Sequence, residues 1–282
     1  AEPCAQQNIT VWSGTLQSPN YPSHYSKNMD CYWLIRVAEG NNIEIDFQDL
    51  SAERDANCPN DYIEILDGSY GSTVLIARLC GFSLQDVDER TFVSSSNMLL
   101  VHMHTDNDKE NRGFLAKHKG ICDVRLTALS GTIMSPNHPD NYPTRLACVW
   151  LIDVGYGYHT TLTFHKFMLE KNEGCSFDWL SVKEGNSTSS PEKTRVCGDV
   201  LPPIIEATGP VTITFNTDGD KEFEGFDITY QAKDANESST VESATSVLAS
   251  STVVLHFTLL ARPSVVPTSP TDPTSSTMSA GM

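Results

Sequence analysis

Six carboxylates stand at matched positions in the two halves of this chain. Glu53 precedes Asp61 by eight residues, and Glu170 precedes Asp178 by the same eight. Asp106 and Asp218 each lie seven residues before a Gly-Phe pair. In each half the three acids belong to three separate loops or strand ends. If they converge, their mutual repulsion calls for a cation, and an all-oxygen donor set suits a hard divalent ion such as Ca2+. A single Asp in a turn is ordinarily a solvated loop residue. Recurrence of the whole set argues for one ion in each half.

Other residue types offer less. His102 and His104 would share one face of a strand, as a His-x-His metal pair requires. The second half carries Thr214 and Asn216 at those places, which favours ordinary solvent-facing strand positions. Trp33 and Trp150 read as core residues beside the first disulfide of each half. The sequence has no His-Glu-x-x-His, no Gly-x-Ser-x-Gly and no Gly-Asp-Ser-Gly, so the common metallohydrolase and serine-nucleophile signatures are missing. Paired carboxylates can hydrolyse sugars, but the cation explains these acids better. The expectation is a chain that is not an enzyme.

The elements that would position the acids come twice. "SPNYPSHYSKNMDCYW" (18–33) recurs as "SPNHPDNYPTRLACVW" (135–150), with Tyr25 matching Tyr142. The eight cysteines fall at 4, 31, 58 and 80, then at 122, 148, 175 and 197. The last three of each set differ by 117 and the first by 118. Such regular spacing marks a four-cysteine domain duplicated in tandem. The cysteines are too dispersed for structural zinc and suit disulfides in an oxidising compartment. Four cysteines allow three pairings. The simplest uses short loops: Cys4–Cys31, Cys58–Cys80, Cys122–Cys148 and Cys175–Cys197, each worth roughly 3–4 kcal/mol. That pairing leaves no free thiol. Sequons at Asn8, Asn186 and Asn236 also point to secretion, and the opening "AEPCAQQ" reads as a mature start after signal removal.

Short alternating segments bounded by turns predict strands: 41–47, 61–68, 98–104 and 113–118, with "HTTLTFHKF", "FDWLSV", "VTITFN" and "GFDITYQ" in the second half. This period-2 pattern, without a long amphipathic helix, predicts antiparallel sandwiches or barrels. Almost no linker separates the halves. From residue 233 the chain is rich in Ser, Thr and Pro, which predicts a disordered, O-glycosylated tail. Its apolar island, 253–261, is too short to span a membrane. A net charge of −17 excludes nucleic acid as a natural partner and suits cations or cationic proteins.

Taken together, the motifs resemble the CUB domain, twice, over residues 4–119 and 122–232. They are the "SPNYP…Y" opening, Cys-x-Trp, "CPNDYIEILDG" with "CGF", and "TDNDKENRGF"; the second copy has "CSFDWLSVKEG", "CGD" and "TDGDKEFEGF". The resemblance implies two tandem β-sandwiches of jelly-roll type, each with two short-loop disulfides, followed by a flexible tail at 233–282. It also implies one calcium per domain, held by Glu53, Asp61 and Asp106 and by Glu170, Asp178 and Asp218. Tyr25 and Tyr142 would support those acids by hydrogen bonding. Some family members place an Asn near the ion where this chain has Lys109 and Lys221. The function implied is calcium-organised recognition of Lys or Arg on an extracellular protein, with a protease or matrix component among the candidate partners. Two alternatives stand beside it. One is a structural or coat protein of egg, seminal or matrix type that binds proteins or glycans without calcium. The other is an accessory subunit that enhances or targets an extracellular protease.

Overall fold

The computed structural model describes residues 4–236. The tail from 237 onward, with the apolar island at 253–261, lies outside the described residues. In the first half the strands are β1 (Gln7–Ile9), β2 (Ser13–Gln17), β3 (Asp30–Arg36), β4 (Asn42–Ser51), β5 (Tyr62–Ser69), β6 (Ser72–Leu79), β7 (Thr91–Val93), β8 (Met98–His104) and β9 (Gly113–Ile121). In the second they are β10 (Asp123–Leu126), β11 (Ser130–Met134), β12 (Ala147–Ile152), β13 (Tyr158–Met168), β14 (Trp179–Glu184), β15 (Glu192–Val196), β16 (Ile205–Thr208), β17 (Val211–Asn216) and β18 (Gly225–Asp234). The helical content among the described residues is one 3-10 turn, Leu84–Asp86.

Each half is a two-sheet sandwich with the same strand order. The first packs β1-β3-β8-β5-β6 against β2-β9-β4-β7, and the second packs β10-β12-β17-β14-β15 against β11-β18-β13-β16. All pairings are antiparallel except one at an edge of each sandwich, where β1 runs parallel to β3 and β10 to β12. Alternating inward residues fill each core, as expected when one face of a sheet is buried. Ile43, Ile45 and Phe47 of β4 are fully buried, as are Ile213 and Phe215 of β17. Trp33 stands edge-on to Phe114, and Trp150 edge-on to Phe226, the geometry that the ring quadrupoles favour.

The four short-loop disulfides form as expected, Cys4–Cys31, Cys58–Cys80, Cys122–Cys148 and Cys175–Cys197. A single residue, Cys122, separates β9 from β10. The two sandwiches meet directly. Trp150 Nε1 donates to the Gly40 carbonyl at 2.8 Å, Met134 N donates to Glu39 O at 2.9 Å, and Asn41 Nδ2 donates to Met134 O at 3.0 Å. Trp12 packs against both cores.

Candidate metal centre

Three strand ends deliver the acids of the first half to one place. Glu53 lies two residues beyond β4, Asp61 one residue before β5, and Asp106 two residues beyond β8. A bulge in β4 after Phe47 shifts its register before Glu53; such bulges re-aim a side chain where a strand stops pairing. The second half repeats each step: a bulge after Phe164 precedes Glu170, Asp178 precedes β14, and Asp218 follows β17. As a result, carboxylate oxygens of Glu53, Asp61 and Asp106 lie within 4.8 Å of one another, and so do those of Glu170, Asp178 and Asp218.

The repeated motifs hold this corner. Ser18, of "SPN", accepts a hydrogen bond from Phe114 N at 3.0 Å. Gly113 beside it has φ +84°, and a Cβ there would lie 1.8 Å from Ser18 Oγ. Ser135, Gly225 and Phe226 repeat the arrangement. Close packing at this glycine brings Tyr25 and Tyr142 inward. Tyr25 OH donates to Asp61 Oδ2 at 2.5 Å, and Tyr142 OH to Asp178 Oδ2 at 2.6 Å. The other oxygen of each Asp accepts a backbone N–H at 2.8 Å, from Asp106 and from Asp218. Thr105 ties the third loop down, accepting from Met29 N and donating to Ser26 O.

The electrostatics are those of buried like charges. Glu53, Asp61, Glu170 and Asp178 are each no more than 4% exposed, whereas Asp106 and Asp218 lie nearer solvent. Burial pushes the Asp61 and Asp178 carboxyls up, and the hydrogen bonds they accept only partly offset it. Burial and then the hydrogen bond to aspartate push both tyrosines well above the usual phenol range. Lys109 reaches Glu53 and Lys221 reaches Glu170, each as an ion pair with the lysine largely exposed. These contacts raise both ammonium groups. Asn60 Nδ2 lies 3.4 Å from Glu53 Oε2. Phe177 takes that place in the second half, and Glu170 Oε2 is buried there without a hydrogen-bond donor.

The histidine pair differs from expectation. His104 is half-buried, but His102 is buried, although alternation directs both away from the core. The outer face of the sheet is covered there: Tyr32 stacks on His102 at 4.3 Å and Tyr62 on His104 at 5.1 Å. Asp30 and Glu64 flank the pair. Sequence reasoning passed over both, because their proximity follows from strand order and register rather than from spacing along the chain. The three sequons, Asn8, Asn186 and Asn236, are all exposed.

Comparison with known proteins agrees with this architecture. The family model of the CUB domain matches residues 4–118 and 122–230. A bone morphogenetic protein 1 homolog of Strongylocentrotus purpuratus is 32% identical over 225 residues, covering 79% of this chain and 35% of that protein. Cubilin of Sus scrofa is 35% identical over 227 residues, covering 78% of this chain and 6% of that protein. The chain thus spans about a third or less of the length of these relatives. Among solved structures, the MASP-1 CUB2 domain bound to Ca2+ is similar at 28% identity, over 41% of this chain and 99% of that one, with a TM-score of 0.36.

Proposed function

The chain belongs to the CUB-domain family, and on that premise we propose that each of its two domains holds one calcium ion and presents ordered carboxylates to Lys or Arg of an extracellular protein partner. The observation that carries this reading is the pair of buried carboxylates in each domain, with one exposed lysine as counter-charge. Uncompensated buried charge costs several kcal/mol per ion, and the unsatisfied Glu170 Oε2 marks where compensation is missing. The donors are all carboxylate oxygens, the set that a hard cation takes. Glu53, Asp61 and Asp106 would hold one ion, and Glu170, Asp178 and Asp218 the other. Tyr25 and Tyr142 orient the central aspartates. Bound calcium would supply the missing positive charge and fix the carboxylates in one geometry.

The chain's own lysines support the second half of the proposal. Lys109 and Lys221 already seat an ammonium on Glu53 and Glu170, so the corner accepts that head group. A partner's Lys or Arg would take the same place through charge-assisted hydrogen bonds, at low ordering cost because the acids are pre-fixed. Asp108 and Asp220, exposed at the rim, and the net charge of −17 would attract such a partner. Four disulfides fit an oxidising compartment, and the exposed sequons fit glycosylation there. No helix among the described residues is long and apolar enough to cross a membrane.

Calorimetric titration of the chain with Ca2+ tests the reading. We expect two saturable sites, one abolished by Asp106→Ala and the other by Asp218→Ala. Because burial raises the Asp61 and Asp178 carboxyls, affinity should begin to fall at a higher pH than an ordinary Asp near 3.9 would give. Absence of binding at millimolar calcium would remove the mechanism and leave calcium-independent assembly or glycan binding as the better account.

A further inference from the structure

We propose that the first CUB domain carries a second, chemically different metal site, in which His102, His104 and Asp30 bind a first-row transition dication of the zinc type. The site lies on the outer face of the five-stranded sheet and does not depend on the calcium reading. Register builds it. Asp30 of β3 stands directly across from His104 of β8, and Glu64 of β5 directly across from His102. Asp30 Oδ1 lies 3.0 Å from His102 Nε2 and 2.9 Å from His104 Nδ1, and the three ligand atoms all fall within 4.8 Å. Zinc bonds of about 2.0–2.2 Å need ligand atoms roughly 3.4 Å apart in a tetrahedral site, so small outward shifts admit the ion.

Three further features distinguish the cluster from a chance meeting of surface groups. The far nitrogen of His102, Nδ1, lies 3.1 Å from Glu64 Oε2. Glu64 is itself held by Arg78, whose Nη2 donates at 2.7 Å and Nε at 3.1 Å. A carboxylate on the far nitrogen fixes ring orientation and tautomer in metal-binding histidines. Stacking then locks the rings: Tyr32 lies parallel to His102 at 2°, and Tyr62 to His104 at 25°. Finally, each ring nitrogen of His102 faces a carboxylate, Nδ1 that of Glu64 and Nε2 that of Asp30. With Nδ1–H directed to Glu64, the Nε2 lone pair faces Asp30 Oδ1, an arrangement that a bound cation makes favourable.

Two imidazoles and one carboxylate are the donors of zinc and its neighbours rather than of calcium. Asp30 is exposed and His104 half-buried, so the fourth position opens to solvent. The second domain has Ala147, Asn216, Thr214 and Ser181 in the corresponding register and lacks every one of these ligands. Its Arg195 still stacks on Trp179 at 4.0 Å, as Arg78 does on Tyr62 at 4.1 Å. The shared scaffold is therefore present in both domains, and the metal-binding groups in one.

The test is calorimetric titration of the full chain with ZnCl2 in saturating Ca2+, so that the carboxylate corners are occupied. One zinc per chain is expected, with visible absorption from tetrahedral Co2+ substituted at the same site. His104→Ala and Asp30→Asn, both at accessible positions, should remove the site while near-ultraviolet circular dichroism stays native. Glu64→Gln should weaken it by about 10–100-fold. No zinc heat, zinc binding that survives His104→Ala and Asp30→Asn, or zinc binding lost instead in Asp106→Ala would each overturn the proposal.

Discussion

At the proposed calcium corners a single lysine, Lys109 in one domain and Lys221 in the other, would set how strongly the ion is held. Each ammonium lies on a nearly buried glutamate and is itself largely exposed. In the absence of a divalent ion it supplies the local counter-charge. A calcium ion would have to displace it or share the carboxylate with it. Lys109→Asn removes that competitor and offers an amide oxygen in its place. We expect calcium affinity of the first domain to rise roughly two- to five-fold, the range an exposed ion pair can account for, with the second domain unchanged. Calorimetry on the single variant reads both sites at once. Equal or weaker binding would mean that the lysine does not oppose the ion.

At the level of the element, what matters is where strands stop. Glu53, Asp61 and Asp106 are not on strands; they lie within two residues of the ends of β4, β5 and β8. Their convergence depends on how the two sheets end at this corner, and the Ser18–Phe114 hydrogen bond ties the chain leaving β2 to the start of β9, its neighbour in the same sheet. Ser18 is 1% exposed, so Ser18→Ala leaves the Phe114 amide buried without an acceptor. Such a loss costs about 1–3 kcal/mol. Denaturant unfolding should show a lower midpoint at unchanged slope. Calcium affinity in the first domain should fall with it, because Tyr25 packs on the same glycine turn. A variant with wild-type stability would show that the turn is held elsewhere.

Across the whole described body, the two domains are joined by more than their one-residue connection. Gly40, at φ +80°, hands its carbonyl to Trp150, and a Cβ on it would lie 2.8 Å from Ile133 Cα and from Thr132 O. A side chain at that point meets backbone that cannot move aside, and the left-handed conformation adds strain of about 1–2 kcal/mol. Gly40→Val should therefore open the contact between domains while each sandwich, closed by its own core and two disulfides, stays folded. Small-angle scattering would register a larger radius of gyration, and Trp150 fluorescence would shift toward that of an exposed indole. An unchanged scattering curve would mean that the contact does not fix the arrangement. Two corners held in one geometry can raise avidity by 10²–10⁴ when a partner spans both, so the opened variant also tests whether they act jointly.

The sequence by itself determined a good deal of this molecule. Short apolar or alternating runs bounded by turns located β8 and β17, central strands buried on both faces, to the residue, and β4, β5, β13 and β14 within a few; in β4 and β13 the alternation is clearest, because one face is buried and the other is not. The repeat and the cysteine spacing determined the duplication; spacing relative to Gly-Phe singled out Asp106 and Asp218, and the repeated eight-residue interval singled out Glu53 with Asp61 and Glu170 with Asp178. These features are local or periodic, so a linear string carries them. Tertiary structure decided the rest. Nothing along the chain says that Asp30 faces His104 or that Glu64 faces His102, since those neighbours are separated by 74 and 38 residues and meet only through strand order and register. The same holds for Gly40 and Trp150, 110 residues apart. His102 was misjudged for a related reason: alternation gives the direction of a side chain but not what covers it, and here two tyrosines from adjacent strands bury an outward-facing ring.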